Sequence, residues 1–374
     1  MRTIRVLILL LPVVLIQTDA ATARPAARKT AKKAPVYRGF NPSGPWLAPD
    51  YSNPAEGDQV DGDDLAVRRA AAAALGPFNG TVVVTDPATG RILTMVNQKL
   101  ALKGGFQPCS TIKLVTALAA MNEGIISRAN DFHLSKSLKL DLVEALARSD
   151  NYYFAALGRK LGFARVSRYA RLLGLGEKAG WNVAGEESGT LPAAPPKNGG
   201  VGMMTSFGEG IRLTPLELAS LLGAIANGGT LYHLQYPKNA VEQTYFRPRV
   251  KRRLGFDEYW SDLREGMRGA ILYGTGRRAG YVTDEPIFGK TGTCTDYKQK
   301  SHMGWFGAFN EAGGRKLVVV VMLTGAKAVN GGVASGIAGA LYRSLVDSHY
   351  LANSSVPIPD TLVSTQKCCQ RDAN

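Results

Sequence analysis

Pro108-Cys109-Ser110-Thr111-Ile112-Lys113-Leu114-Val115-Thr116-Ala117-Leu118-Ala119-Ala120-Met121 decides how this chain is read. The run from Leu114 to Met121 has the length and apolar content of a buried helix. Pro108 suits a helix start, and Ser110 is a preferred residue there. Ser110 and Lys113 lie one turn apart, so their side chains leave the same helical face. That sets an amine beside a hydroxyl, and a serine hydroxyl becomes a nucleophile only when a neighbouring base takes its proton. The spacing alone also fits a capping serine followed by a solvated lysine. Ser364-Thr365-Gln366-Lys367 repeats it in a polar tail with no apolar helix behind it.

Two further motifs bear on that choice. Ser149-Asp150-Asn151 falls between a helix expected from about Leu140 to Arg148 and an apolar-periodic run marked by Phe154, Leu157 and Leu161. Its hydroxyl could relay a proton and its amide could hold a substrate amide, while an ordinary helix cap is the plain alternative. Lys290-Thr291-Gly292-Thr293 sits on a strand predicted from Ile287 to Cys294. Alternation puts Thr291 and Thr293 on one face, where hydroxyls can meet a carboxylate. Gly292 leaves the other face bare for close approach, and Lys290 then points toward the serine helix. A solvated edge-strand lysine is the plain alternative here.

Other motifs fail. Gly289-Lys290-Thr291 is no phosphate loop, because Asp284 occupies the required first glycine position. Gly274-Thr275-Gly276 follows a predicted helix rather than a strand, which excludes a dinucleotide fingerprint. His133, His233, His302 and His349 show no metal-ligand spacing.

The chain has 374 residues, 45% of them hydrophobic, and a formal net charge of +15. Such a charge fits nucleic acid, an anionic membrane surface or an acidic polymer. Arg2 and Arg5 precede the apolar run Val6–Ile16, and Ala21-Thr22-Ala23 offers a small-residue cleavage site. This is the pattern of a secretory signal peptide over residues 1–23, with an uncleaved membrane anchor as the alternative. Export to the periplasm or cell envelope argues against nucleic acid and for wall polymers or lipid headgroups.

Residues 24–64 read as a basic, Pro-rich tether, with the acidic patch Asp58, Asp61, Asp63 and Asp64 capping a helix over Leu65–Leu75. Gly80–Thr85 and Arg91–Val96 read as a hairpin around Asp86-Pro87-Ala88-Thr89-Gly90. A Gly/Pro-rich loop is expected over 174–200, then helices Thr214–Asn227 and Asp262–Tyr273. Strands Trp305–Phe309 and Lys316–Leu323 precede a small-residue helix, Gly332–Val346, and a frayed tail from 351 to 374. Strands at both ends with helices between predict an α/β (α+β) fold: one antiparallel sheet flanked by helices, beside an all-helical lobe.

Together, in this order, the three motifs resemble the serine acyl-transferases that include penicillin-binding proteins and β-lactamases. Val84–Leu93 is similar to the opening hairpin of penicillin-binding transpeptidase domains. Gly185–Gly189, Gly208–Leu216, Ala226–Gly229 and Tyr273–Ala279 resemble later signatures of the same domain. The likeness covers roughly residues 65–350 and implies a β-lactamase/transpeptidase-like fold.

The resemblance implies a D,D-transpeptidase or carboxypeptidase acting on peptidoglycan stem peptides, and reactive with β-lactams, through a serine acyl-enzyme. In it Ser110 attacks the D-Ala-D-Ala carbonyl, Lys113 is the base and Ser149 relays a proton to the leaving amine. Asn151 holds the substrate backbone, and Lys290, Thr291 and Thr293 hold the terminal carboxylate. No metal or cofactor is implied. Ser149 follows Ser110 by 39 residues, fewer than the family usually shows, which implies a trimmed helical lobe. Cys109 and Cys294 flank the first and third motifs, and some class A β-lactamases are similar in bridging these relative positions, so a disulfide is expected. A serine β-lactamase is the alternative, although the E-x-x-L-N pattern of class A is absent between the second and third motifs. A sensor that acylates without turnover is the reading from outside enzymology.

Overall fold

The computed structural model describes residues 55–127, 132–133, 139–282, 284–296, 301–311, 314–325 and 329–352. The expected signal peptide, most of the tether, Ser364–Lys367 and the tail cysteines Cys368 and Cys369 lie outside these residues.

Helix α1 (Leu65–Leu75) starts where Asp64 accepts from the N–H groups of Ala66 and Val67, the expected cap. The folded part reaches further upstream than Leu65, because Arg68 is gripped by Asp58 at 2.9 Å and Asp63 at 2.8 Å. Strands β1 (Gly80–Thr85) and β2 (Ile92–Val96) form the expected hairpin. A short helix α2 (Gln98–Ala101) leads to a 3₁₀ turn, Cys109–Ile112, which runs into α3 (Lys113–Asn122). Ser110 therefore lies inside a tight turn and makes no capping bond, contrary to its expected place at a helix cap.

The two-residue strands β3 (Phe132–His133) and β4 (Lys139–Leu140) pair before α4 (Leu142–Arg148). That helix begins later than Leu140 because Leu140 is spent in the pair and Asp141 caps it through the N–H of Glu144. Helix α5 (Asn151–Leu172), kinked at Gly162, is capped by Asp150 through the N–H of Tyr153. After the expected loop come α6 (Gly200–Phe207) and α7 (Pro215–Asn227). Then follow β5 (Thr230–His233), α8 (Ala240–Thr244), β6 (Arg249–Arg253), α9 (Trp260–Leu272) and α10 (Arg277–Val282). Strands β7 (Ile287–Asp296), β8 (Ser301–Asn310) and β9 (Val318–Gly325) precede the last helix, α11 (Gly331–Asp347).

The five long strands make one antiparallel sheet in the order β2-β1-β9-β8-β7. Its centre is β9, and burial on both faces explains a strand that opens on four consecutive valines followed by Met322 and Leu323. Val318, Val320 and Met322 face the core shared with α3, α5 and α7, while Val319, Val321 and Leu323 face α1 and α11. The result is three layers: a helical lobe, the sheet, and the terminal helices. Leu351 is buried and its carbonyl accepts from Gly314 and Arg315, so the packed region runs one residue into the segment expected to fray. Among the described residues no helix is long and apolar enough to cross a membrane.

Candidate active site

The 3₁₀ turn carrying Ser110 is pinned from two sides. Trp305 of β8 donates its indole N–H to the carbonyl of Gln107 at 2.9 Å, and the Gln107 amide donates to Phe207 at the end of α6. Gly292 of β7 completes the fit, since a β-carbon there would stand 2.9 Å from the Pro108 carbonyl and 3.2 Å from Thr111. The bare face expected of Gly292 is thus the face against which the Ser110 turn packs. Cys109 and Cys294 close the same contact as a disulfide, their Cα atoms 5.5 Å apart.

Cross-strand register assigns the faces of β7. Lys290, Gly292 and Cys294 lie opposite Gly307, Trp305 and Met303 on the lobe side, while Thr291 and Thr293 lie opposite Phe306 and Gly304 on the other. Lys290 is fully buried and reaches across to the second motif, donating to Ser149 Oγ at 2.8 Å and to the Thr291 carbonyl at 3.2 Å. Lys113, also fully buried, donates to the Ser149 carbonyl and Asn151 Oδ1, both at 2.6 Å, and lies 3.1 Å from Ser149 Oγ. One hydroxyl therefore joins the two amines. All three motifs meet at that atom.

Burial disfavours both ammonium forms. Desolvation lowers the Lys113 amine to about 7, against the opposing pull of Asp150. Lys290 falls well below the usual ammonium range, first by burial and then by the charge of Lys113. Cys109 and Ser149 both hold left-handed backbone, with φ of 52° and 59°. Such conformations are costly for residues with a β-carbon and concentrate at functional sites.

Ser110 is buried, and its hydroxyl has no hydrogen-bond partner among the described residues. The direct Ser110–Lys113 bond implied by their spacing is absent, because the Lys113 amine is drawn past it to Ser149 and Asn151. Thr291 is buried and shares a 2.5 Å hydrogen bond with Thr275, a residue the motifs did not single out. Thr293 is exposed and its oxygen accepts from the Gly331 N–H at 2.8 Å, which leaves its own O–H free to donate. Among the described residues no group of three His, Cys, Asp or Glu is placed to hold a metal ion.

Glu186, in the loop between the second and third motifs, is buried and accepts from the N–H groups of Ala179 and Gly180. Its neighbour Glu187 accepts from Gly104. Both carboxylates are thus engaged in holding loop backbone.

Stage V sporulation protein D of Bacillus subtilis is 27% identical over 311 residues, 73% of this chain and 48% of that protein. Peptidoglycan D,D-transpeptidase MrdA of Haemophilus influenzae is 24% identical over 79% of this chain and 56% of its own length. The chain spans about half the length of the curated relatives it matches. Among solved structures, PBP2 of Pseudomonas aeruginosa in complex with WCK 5153 shares the fold with a TM-score of 0.64. Sequence identity there is 24%, with 77% of this chain and 74% of that chain covered. The family described as penicillin binding protein transpeptidase domain matches residues 80–343, from the first strand of the sheet into its last helix, and the chain belongs to that family.

Proposed function

We propose that the chain is a D,D-transpeptidase or carboxypeptidase that acylates Ser110 with the penultimate D-Ala of a peptidoglycan stem peptide, releasing the terminal D-Ala. The observation that carries this reading is the meeting of two buried lysine amines on the Ser149 hydroxyl, beside the Ser110 turn. A neutral Lys113 has two N–H bonds, which the Ser149 carbonyl and Asn151 Oδ1 take up. Its lone pair is then left for the hydroxyl side of the site, where Ser110 and Ser149 stand. The proton leaves Ser110 for Lys113 as Ser110 Oγ attacks the carbonyl. Ser149 passes its proton to the departing amine and regains one from the Lys113 ammonium, while Lys290 stabilises the charge on Ser149 in transit. The backbone N–H groups of Ser110 and Thr293 hold the oxyanion, each worth about 3 kcal/mol in comparable sites. Asn151 orients the substrate amide, and Thr291 and Thr293 receive its carboxylate.

Slow loss of the acyl group fits better than β-lactamase turnover, because Glu186 and Glu187 already hold backbone N–H groups. The test is covalent labelling with a fluorescent penicillin. A label that persists for many minutes, vanishes in Ser110→Ala and is accompanied by D-Ala release from a stem-peptide mimic supports the reading. Rapid loss of label points to a β-lactamase, label without D-Ala release to a sensor, and labelling of Ser110→Ala overturns the site.

A further inference from the structure

Positive charge gathers on the hairpin of β5 and β6, away from the strand that carries the third motif. Between Tyr236 and Arg253 stand Lys238, Arg247, Arg249, Lys251, Arg252 and Arg253, against the single carboxylate of Glu242. Part of this charge is used within the fold. Lys251 pairs with Glu177 at 2.8 Å, and Arg252 grips the same carboxylate with both arms of its guanidinium. Arg247, Arg249 and Arg253 are exposed and have no carboxylate partner among the described residues. Arg249 lies instead over the ring of Trp181, at 4.6 Å. Burial, and after it the charge of Lys251, holds the His233 imidazole below its ordinary range, with Arg252 and Arg249 pushing the same way.

Apolar side chains are exposed in the same stretch: Val241 at 66%, Tyr245 at 74% and Val250 at 46%. Cations on an edge strand discourage pairing with other chains, and β6 is such an edge, bonded only to β5 among the described residues. That role gives no use to Val241 or Tyr245, which lie outside the strand. An exposed ring and branched aliphatic groups set among arginines suit the headgroup region of a bilayer. Apolar groups dip below the phosphates there, while guanidiniums stay level with them. A soluble polyanion would use the charges alone.

The hairpin's place in the fold suits that partner. The chain leaving β5 runs beside β2, where Ile92 donates to the Gln235 carbonyl at 2.8 Å and Gln235 to the Gly90 carbonyl at 2.9 Å. Strands β2 and β7 are the two margins of the sheet, four strand spacings or about 19 Å apart. A surface laid against the hairpin therefore leaves the margin bearing Lys290 uncovered. The chain also enters the described structure here, since the Tyr236 hydroxyl donates to the Gln59 carbonyl and to Asp63. Upstream sequence, basic from Arg24 to Arg38, thus joins the fold on its cationic side.

We propose that α8 and the β5–β6 hairpin form a docking surface for an anionic phospholipid bilayer. Arg247, Arg249 and Arg253 meet the headgroup phosphates, and Tyr245 and Val250 enter the boundary between headgroups and acyl chains.

The experiment measures amide hydrogen exchange of the full chain on vesicles of phosphatidylcholine, with and without about one third phosphatidylglycerol. An upstream anchor would seat the chain on both, so only a headgroup effect separates them. Exchange across residues 240–253 is expected to slow at least about fivefold on the anionic vesicles alone. That difference is expected to vanish in about 1 M salt, where screening acts within about 3 Å. Arg247→Gln/Arg249→Gln/Arg253→Gln is expected to abolish it and Tyr245→Ser/Val250→Ser to reduce it, with penicillin labelling unchanged in both variants. Equal exchange on the two vesicles overturns the proposal, as does slowing that survives in the triple arginine variant. Equal slowing by soluble polyphosphate, kept in Tyr245→Ser/Val250→Ser, also overturns it and assigns the surface to an anionic polymer.

Discussion

A lysine ammonium removed from water gives up its proton more readily than it keeps its charge. With the Lys113 amine at about 7, its free-base fraction climbs from roughly a tenth at pH 6 to roughly nine tenths at pH 8. Acylation of Ser110 by penicillin is therefore expected to accelerate about tenfold over that interval, which stopped-flow labelling would measure. A flat profile would exclude Lys113 as the base. The sign for folding follows from the same amine. The unfolded chain binds the proton up to its ordinary value of 10.5 and the folded chain only to about 7. Stability from this group therefore rises with pH between those values. Lys113→Met is expected to flatten that slope in urea titrations at pH 7 and 9.

At the scale of elements, α7 is held by Thr214 and Glu217 in a reciprocal cap. Glu217 also accepts from Gly189 and Gly176, tying the Gly/Pro-rich loop to the helix. Glu217→Ala strands the buried N–H groups of Thr214 and Gly189 and is expected to cost about 2–3 kcal/mol in denaturant unfolding. The glycines of α11 separate two effects. Gly336→Ala meets only ordinary contacts and is expected to leave stability level or raise it by up to about 1 kcal/mol. Gly339→Ala drives a methyl to within 2.8 Å of α10 backbone and is expected to cost about 1–3 kcal/mol. Thermal melts of the two variants should move in different directions.

The same elements show what the residues disclosed in advance. Helices α1 and α7 were readable because Asp64, Thr214, Pro215 and Gly228 mark their ends chemically. Helix α6 was not, since it begins at a glycine with no side-chain cap and is placed by Thr205 donating to the Phe154 carbonyl of α5. Strand β6 carries cations at four of five positions and has no apolar alternation; only pairing with β5 makes it a strand. The motifs foretold which faces of β7 would meet the serine turn. They did not disclose that Ser149, rather than Ser110, would take the Lys113 amine, because that depends on the left-handed turn between α4 and α5. Nor did spacing single out Thr275, whose partner is 16 residues away across α10.

In the molecule as a whole, the Cys109–Cys294 bond ties segments 185 residues apart. Cross-links closing long loops stabilise by about 2–5 kcal/mol, chiefly by restricting the unfolded chain. The double variant Cys109→Ser/Cys294→Ser is expected to lose stability in that range in guanidinium unfolding. Its penicillin labelling at low temperature should persist, because Gly292, Trp305 and Gln107 hold the turn without the bridge.

The sheet order carries a consequence for how the protein comes into being. The central strand β9 inserts between β1 and β8 although more than 230 residues of chain separate it from β1. As the polypeptide leaves the ribosome or a secretion channel, the Ser110 arm emerges long before its keystone strand. Until residues 318–325 arrive, the first hairpin has an open edge and nothing joins it to the strands that carry Lys290. A chain cut short of residue 318 is therefore expected to take no penicillin label, which labelling of a truncated variant would check.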